Sequence, residues 1–223
     1  MRKAVALAVL LCATQAHAQF ASSIALLSDY RYRGVSLSDG QAAAQLSLSY
    51  DAPSSGGYAG AMASNVRLSR EDAVQGMVYA GIARRFAHDW SWDVGVEYTQ
   101  YTGHYSYRYA EVYAGVTYRH IGARLYYAND YFGLGRPALY AELNASQNLG
   151  ERWYIFGHAG VLQSNGAYED RRRNDYRAGF GLTLASFDFQ LGWTTFRGSE
   201  YTGYPVAAGA GRSALVASVR YSW

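Results

Sequence analysis

Cysteine, lysine and proline are scarce in this chain of 223 residues, which contains 1 cysteine, 3 prolines and the single lysine Lys3. One cysteine allows neither an internal disulfide nor a site of several thiolate ligands. Residues 19–223 contain no apolar run of the ~18 residues that a spanning helix needs. Together with a mean hydropathy of −0.20, this excludes a polytopic helical membrane protein. The net charge of +3 is small, so we expect no nucleic-acid partner.

Tyrosine and glycine are abundant instead, with 22 and 24 copies. Hydrophobic residues make up 50% of the chain and aromatic residues 16%, which excludes a disordered protein. Tyrosine favours strands and glycine is poor in helix interiors, so the composition indicates an all-β protein. Two classes remain: a soluble all-β domain, and a membrane barrel whose hydrophobicity is hidden by alternation.

The first 18 residues have the three parts of a secretory signal peptide. Arg2 and Lys3 form a positive start, an apolar stretch follows, and Ala16 and Ala18 flank His17 as a small-x-small cleavage site. We therefore predict a signal peptide over 1–18 and a barrel domain over 19–223. The alternative is a buried N-terminal helix. Cleavage would remove the only cysteine and lower the net charge from +3 to +1.

Apolar and polar side chains alternate in many short stretches of the exported part. One example is Trp90, Trp92, Val94, Val96 and Tyr98, which alternate with Ser91, Asp93, Gly95, Glu97 and Thr99. This period of two is typical of strands with different environments on their two faces. We predict twelve strands: 23–35, 41–51, 57–68, 73–86, 90–101, 107–119, 121–131, 138–148, 152–163, 174–185, 187–197 and 213–223. Most are long enough for a tilted strand to cross a bilayer, and an even count is usual in bacterial barrels.

The connections between these strands differ by parity. They are mostly short after even-numbered strands and usually longer after odd-numbered ones. Outer-membrane barrels alternate short periplasmic turns with longer outer loops in the same way, whereas a soluble sandwich has no reason to do so. The sequence therefore predicts an all-β fold, a closed antiparallel transmembrane β-barrel of twelve strands, in the outer membrane of a Gram-negative bacterium.

The five tryptophans fall on the apolar phase of these strands, near strand ends. Trp90, Trp92, Trp153 and Trp223 lie at predicted periplasmic ends, and Trp193 lies at a predicted outer end. Amphipathic rings collect at both bilayer interfaces, so we predict that these residues form membrane-interface girdles. Trp223 also resembles the C-terminal aromatic signal of outer-membrane proteins, which implies the barrel-assembly machinery as a partner.

The segment from Ser28 to Gln41 has the sequence SDYRYRGVSLSDGQ, and Gly57-Tyr58-Ala59-Gly60 and Ser64-Asn65-Val66 follow it. These segments resemble the proteobacterial TorF family of porins, also called the Gcw_chp family. Glu111 to Gly115 and Asn129 to Gly133 are similar to later segments of that family. The resemblance covers most of the exported chain and implies an outer-membrane barrel with porin activity. It implies no particular solute and no binding residues.

Residues for catalysis or metal binding are not evident in the sequence. The histidines do not stand at metal-ligand spacing with a carboxylate partner, so we expect no metal, no cofactor and no enzyme activity. His104-Tyr105-Ser106 is similar to a string in outer-membrane lipid A deacylases, but it lacks an orienting carboxylate close by. A lipid-modifying barrel enzyme is therefore the less favoured alternative. Arg171, Arg172 and Arg173 either bind lipopolysaccharide phosphates or are neutralised by neighbouring acidic residues.

Ten charged residues share the predicted inward phase. They are Arg31, Arg33, Asp93, Glu97, Glu111, Arg124, Glu142, Arg177, Asp188 and Arg220. Such charges are costly in a dry core unless they are paired, but they are natural in a water-filled lumen. We predict that they line a pore for passive diffusion of small hydrophilic solutes, with weak ion selectivity because the two signs are balanced. The alternative is a salt-bridged interior of a structural or adhesive barrel without transport.

Overall fold

The computed structural model describes residues 19–68, 70–103, 107–165, 170–198 and 211–223. Ala16 and Ala18, with the rest of the predicted signal peptide, lie outside these residues. The strands are β1 (Gln19–Leu27), β2 (Arg31–Tyr32), β3 (Val35–Ser36), β4 (Ala43–Ala52), β5 (Gly57–Leu68), β6 (Glu71–Ala87), β7 (Trp90–Tyr101), β8 (Arg108–Tyr118), β9 (Ile121–Ala128), β10 (Ala138–Asn148), β11 (Trp153–Asn165), β12 (Asp170–Leu184), β13 (Phe187–Gly198) and β14 (Ser213–Ser222). In the described part, no helix is long and apolar enough to cross a membrane.

Twelve of these strands form a closed antiparallel barrel, in which consecutive strands are hydrogen-bonded neighbours. The barrel closes where β1 pairs with both β4 and β14, with Gln19 opposite Asp51 and Ser23 opposite Ser222. The remaining strands, β2 and β3, pair only with each other. Since each barrel strand has two neighbours, the backbone groups are satisfied without a sheet edge, as a membrane requires. The predicted fold and strand number are confirmed.

The two ends of the barrel differ in their connections. At one end, which we call the turn end, the connections are short: residues 53–56, 88–89, 119–120, 149–152 and 185–186. Arg119 and Ala185 adopt positive φ values of 51° there, as tight turns require. The other end, which we call the loop end, carries connections 28–42, 69–70, 102–107, 129–137, 166–169 and 199–212. The predicted parity therefore holds, with 69–70 as a short exception.

The outer face of the barrel is apolar and the inner face is polar. Along β7, the outward residues Val94 and Val96 are 43% and 55% exposed, while their neighbours are partly covered. Such exposed apolar bands are unfavourable in water but natural against lipid. All five tryptophans belong to the outward face: Trp90, Trp153 and Trp223 at the turn end, Trp92 two residues further in, and Trp193 in the loop-end half of β13. Their girdle role stays a prediction.

The buried hydrophobic core lies inside the barrel, towards the loop end. Its members include residues of the wall and of two connections: Tyr30, Val35, Leu37, Val66, Leu68, Tyr101, Tyr109, Tyr131, Phe132, Tyr140, Leu162 and Phe196. The predicted first strand, 23–35, is therefore wrong in its second half. The barrel strand ends at Leu27, and residues 28–42 fold into the lumen rather than extending the wall.

Candidate functional site in the barrel lumen

Residues 28–42 form a compact hairpin in the lumen, which we call the inserted hairpin. Its strands β2 and β3 pair Arg31 with Ser36 and Tyr32 with Val35. The Leu37 amide donates to the Tyr30 carbonyl at 2.7 Å, and the Leu37 carbonyl accepts from the Arg67 amide of β5 at 2.7 Å. The hairpin is thereby closed on itself and fastened to the wall.

Asp29 organises the hairpin from within. Its carboxylate accepts hydrogen bonds from Arg31 Nε at 2.7 Å, Ser36 Oγ at 2.5 Å and Ser38 Oγ at 3.2 Å. Ser36 Oγ in turn accepts from the Gly40 amide at 2.9 Å. Buried carboxylates need such donors, because an unpaired buried charge is strongly unfavourable. The serine and aspartate residues of the segment therefore replace water as hydrogen-bonding partners inside the lumen.

Gly34 occupies the tip of the hairpin, against β12 and β13. Its φ is +83°, and a Cβ there would lie 2.6 Å from Asp175 Cβ and 2.8 Å from Phe196 Cβ. Only glycine fits both the backbone conformation and the space. The hairpin is therefore bonded to β5 at Arg67 and reaches across the lumen, so that its tip contacts β12 and β13 on the opposite wall.

Arg33 joins the hairpin to the wall through a buried ion pair. Its Nη1 and Nη2 donate to Glu111 Oε1 and Oε2 at 3.0 and 2.7 Å, and Nη1 also donates to the Tyr131 hydroxyl at 2.9 Å. The guanidinium carbon lies 4.3–5.5 Å from four ring centroids, those of Tyr32, Tyr126, Tyr131 and Tyr140. Bidentate pairing and aromatic contact suit a guanidinium better than an ammonium, which agrees with the use of arginine here.

Burial also affects the tyrosines of the hairpin. Desolvation raises the pKa of the Tyr30 hydroxyl and of the Tyr32 hydroxyl well above the usual value. Nearby Arg33 partly opposes this shift of the Tyr32 pKa. The hairpin therefore gains no negative charge from these hydroxyls even at an alkaline pH at which a free tyrosine ionises.

A second connection, 129–137, also folds into the loop end. It contains a 3-10 turn over Tyr131–Gly133, in which Phe132 adopts a φ of 61°. The Phe132 ring stacks against Tyr101 and Tyr109, with centroids 5.5 and 4.9 Å apart. Together with the inserted hairpin, this turn fills the loop end of the lumen.

Beneath the two insertions the lumen is open. A cavity of about 800 Å³ extends from the underside of the hairpin to the exposed residues Arg119 and His120 at the turn end. Its lining combines aromatic rings with charged and amide groups, among them Tyr126, Glu142, Tyr154, His158, Arg177 and Gln190. Concave sites of this size and mixed lining accommodate small polar solutes.

Hydrogen-bonded clusters cover much of the cavity wall. His158 Nε2 lies 2.8 Å from Asp175 Oδ1, which also accepts from the Tyr140 hydroxyl at 3.2 Å. On another part of the wall Arg124 pairs with Asp93 at 2.9 Å. No group of three potential metal ligands is present among the described residues. These clusters hold positively and negatively charged side chains in place, and neither charge predominates.

The structure places the ten predicted pore-lining residues in two settings. Eight face the lumen from the wall: Asp93, Glu97, Glu111, Arg124, Glu142, Arg177, Asp188 and Arg220. Arg31 and Arg33 were predicted within the first barrel strand, 23–35, which is wrong. They lie on the inserted hairpin, while Arg220 is opposite Ala25 of β1. Arg33 pairs directly with Glu111 of the wall.

Other candidate residues fall in different places. Asp39 and Gly40, with φ values of 56° and 72°, form a turn of the inserted hairpin. Arg172 and Arg173 lie in β12 rather than in a loop; Arg172 is exposed and Arg173 is fully buried, with its guanidinium 5.9 Å from the Phe196 ring centroid. Arg171 belongs to the same strand. His104, Tyr105 and Ser106 lie outside the described residues.

The profile of a family described as "Bacterial protein of unknown function (Gcw_chp)" matches residues 12–221. The chain belongs to the Gcw_chp family. This confirms that part of the resemblance, and the TorF name stays a prediction. No curated protein matches the chain.

The solved structures that the chain resembles include a porin and a transporter. A KdgM porin in complex with disordered oligogalacturonate has a TM-score of 0.55 and 10% identity, over 92% of this Gcw_chp chain and 99% of that chain. The Pseudomonas putida toluene transporter TodX has a TM-score of 0.49 and 10% identity, over 94% and 90%. At 10% identity the likeness to the KdgM porin shows the fold alone.

The inserted hairpin is the feature that sequence reasoning missed. Because β2 and β3 are extended, apolar and polar side chains alternate along them as they do along a barrel strand. The pattern therefore favoured a longer first strand. The available signal was local: Arg33 and Gly34 precede two serines and Asp39-Gly40, a density of turn-forming and polar residues that is unusual inside a membrane strand.

Proposed function

We propose that this Gcw_chp protein is a porin-like outer-membrane channel for passive diffusion of small hydrophilic solutes, with weak ion selectivity. The observation that carries the proposal is the lumen: a closed barrel with an apolar exterior surrounds a polar cavity of about 800 Å³. A barrel built only for stability has no need of a wide cavity among charged side chains, because such groups are costly to desolvate.

In this proposal the turn end faces the periplasm and the loop end faces the outside. Short turns on the periplasmic side and longer outer loops are the usual arrangement in such barrels. The outer face would contact membrane lipid, and lipopolysaccharide would contact the loop end. The C-terminal strand β14 would be the segment that the barrel-assembly machinery recognises.

The inserted hairpin would act as the gate of this channel. It fills the loop end, so solutes can pass only when it leaves its position between β5 and β12. The Arg33–Glu111 pair is a buried polar attachment that such a movement would break. Breaking a buried ion pair by removing one partner typically costs about 3–5 kcal/mol, so its loss should favour the open state.

A barrel without transport is the second candidate. The packing of Tyr30, Leu37, Phe132 and Phe196 at the loop end favours it, because a permanently docked hairpin would leave no through-passage. The two candidates differ in one measurable property, the conductance of the reconstituted protein.

Single-channel recording in planar bilayers tests the proposal. We expect wild-type protein to conduct with long closed periods, and Arg33→Ala to raise the open probability severalfold. Arg108→Ala is the matched control, because Arg108 begins β8 on its exposed, outward phase. If neither wild type nor Arg33→Ala conducts, the channel proposal is wrong and the barrel without transport replaces it.

A further inference from the structure

Arg177 lines the cavity from β12 and is held differently from Arg31, Arg33 and Arg124. Arg33 pairs with Glu111 at 2.7 Å, Arg124 with Asp93 at 2.9 Å, and Arg31 with Asp29 at 2.7 Å. Within the described ranges, the Arg177 guanidinium forms no ion pair and makes one hydrogen bond, from Nη2 to Gln190 Oε1 at 2.9 Å. A guanidinium has five N–H donors, so most of them are available to a ligand.

The nearby acidic side chains are held by other donors. Asp188 accepts from the Tyr154 hydroxyl at 2.7 Å and from Gln190 Nε2 at 2.9 Å. Asp175 is bonded through Oδ1 to His158 and Tyr140, and its buried Oδ2 has no hydrogen-bond partner in the described part of the chain. The residues opposite Arg177 on the adjacent strands are His158 and Thr194, neither of which is acidic. Within the described residues, therefore, neither Asp175 nor Asp188 forms an ion pair with Arg177.

The wall is shaped to hold this guanidinium in place. Its carbon lies 4.8 Å from the centroid of the Phe156 ring, which supports it from one side. A Cβ on Gly192 would lie 3.3 Å from Arg177 Nε and 3.0 Å from Phe156 Cζ, so glycine provides the space. Arg177, Phe156, Gln190 and Thr194 all line the cavity. A positioned, half-buried fork of donors matches an oxyanion, which it can bind with two parallel hydrogen bonds.

We propose that Arg177 is an oxyanion-binding position for small solutes that carry a carboxylate or phosphate group. The inference deepens the proposed function, since it names the solute class that the lumen favours. Arg220 adds a second positive side chain on the neighbouring wall, where it faces Asp188 in the β13–β14 register without forming an ion pair among the described residues. The half-buried carboxylate Glu142 lies two strands away on β10, so it does not occupy the position next to Arg177 where an anion would bind.

Three sugars that differ only at carbon 6 test this proposal. D-glucuronate carries a carboxylate there, D-glucose 6-phosphate a phosphate, and D-glucose a neutral hydroxymethyl group. Isothermal titration calorimetry on refolded protein in detergent should show binding of at least one anionic sugar at least tenfold tighter than glucose. Whichever anion binds more tightly identifies the preferred oxyanion.

Variants locate the binding to Arg177. Arg177→Gln should weaken anion binding at least tenfold, and Arg177→Lys should keep part of it, because charge remains but the fork is lost. The outward-facing Arg108→Gln should bind as wild type does, and unboiled mobility on SDS gels checks that each variant is folded. The inference would be overturned if neither glucuronate nor glucose 6-phosphate bound more tightly than glucose, or if Arg177→Gln bound the preferred anion as tightly as wild type does. Because the cavity opens at the turn end, a solute can bind at Arg177 while the inserted hairpin is docked. The outcome of the binding experiment is therefore independent of the outcome of the channel recordings.

Discussion

At the scale of single residues, Gly34 and Gly40 of the inserted hairpin allow the cost of a left-handed backbone to be distinguished from the cost of a steric clash with the wall. Both have left-handed φ values, +83° and +72°, so an alanine at either position carries a similar backbone cost, roughly 1–2 kcal/mol. They differ in the room available for a Cβ atom. A Cβ on Gly34 would clash with Asp175 and Phe196, whereas a Cβ on Gly40 would meet nothing within 4 Å. Gly34 is therefore the position at which the tip of the hairpin is sterically fitted to the wall.

We expect Gly34→Ala to undock the hairpin and Gly40→Ala to leave it docked. The clash adds roughly 1–3 kcal/mol to the cost at Gly34, as overpacking does elsewhere. Limited trypsin digestion of refolded protein measures this directly, because cleavage after Arg31 or Arg33 requires the hairpin to leave the lumen. Cleavage there should be at least several times faster in Gly34→Ala than in Gly40→Ala. Equal rates in the two variants would mean that contact with β12 and β13 does not hold the tip.

At the scale of elements, period-two alternation predicted the barrel strands well and the first strand poorly. For β7, the alternation gave both the bounds 90–101 and the inward phase, because each residue's neighbour lies on the opposite face. For residues 28–35 the same pattern arises inside the lumen, where an extended hairpin also has two different faces. The partner of Arg33 could not be predicted, because Glu111 is 78 residues away and the pairing depends on where the hairpin folds.

The C-terminal strand β14 closes the barrel, and its last residues carry part of that closure. The Trp223 amide and carbonyl both bond to the Ser22 backbone, at 3.0 and 3.1 Å, and Tyr221 is opposite Ile24. Deleting residues 221–223 should lower the amount of protein in the outer-membrane fraction severalfold and induce the envelope stress response. Trp223→Phe should behave as wild type, since an aromatic ring remains. Quantitative immunoblots of fractionated cells provide the measurement, and accumulation of the deletion variant at the wild-type level would contradict the role given to this strand.

At the scale of the whole molecule, closure makes the barrel a single cooperative unit. Every barrel strand is bonded to two neighbours, so no strand can leave without breaking two sets of hydrogen bonds. We expect unboiled protein to keep its fold in SDS and to migrate differently from boiled protein on gels. We also expect it to fractionate with the outer membrane. Identical mobility in both conditions, with recovery in the soluble periplasmic fraction, would contradict a membrane barrel.

The balance of positive and negative side chains in the lumen should set the ion selectivity of the open channel. Pairing of Arg33 with Glu111 and of Arg124 with Asp93 cancels four of the predicted pore charges. The field left for ions therefore comes mainly from charges that form no ion pair among the described residues, such as Glu142 and Arg220. Because these have opposite signs, the open channel should select only weakly between cations and anions.

Reversal potentials in a salt gradient measure this balance. Arg220→Glu should move the reversal potential towards cations, and Glu142→Arg should move it towards anions, because each change alters the lumen charge by two. Arg108→Glu makes the same change of charge on the outward face and should cause little shift. Arg33→Glu would not be informative, since it places two carboxylates against each other under the hairpin. If the channel conducts but neither lumen variant shifts the reversal potential, ions pass along a route that these side chains do not line.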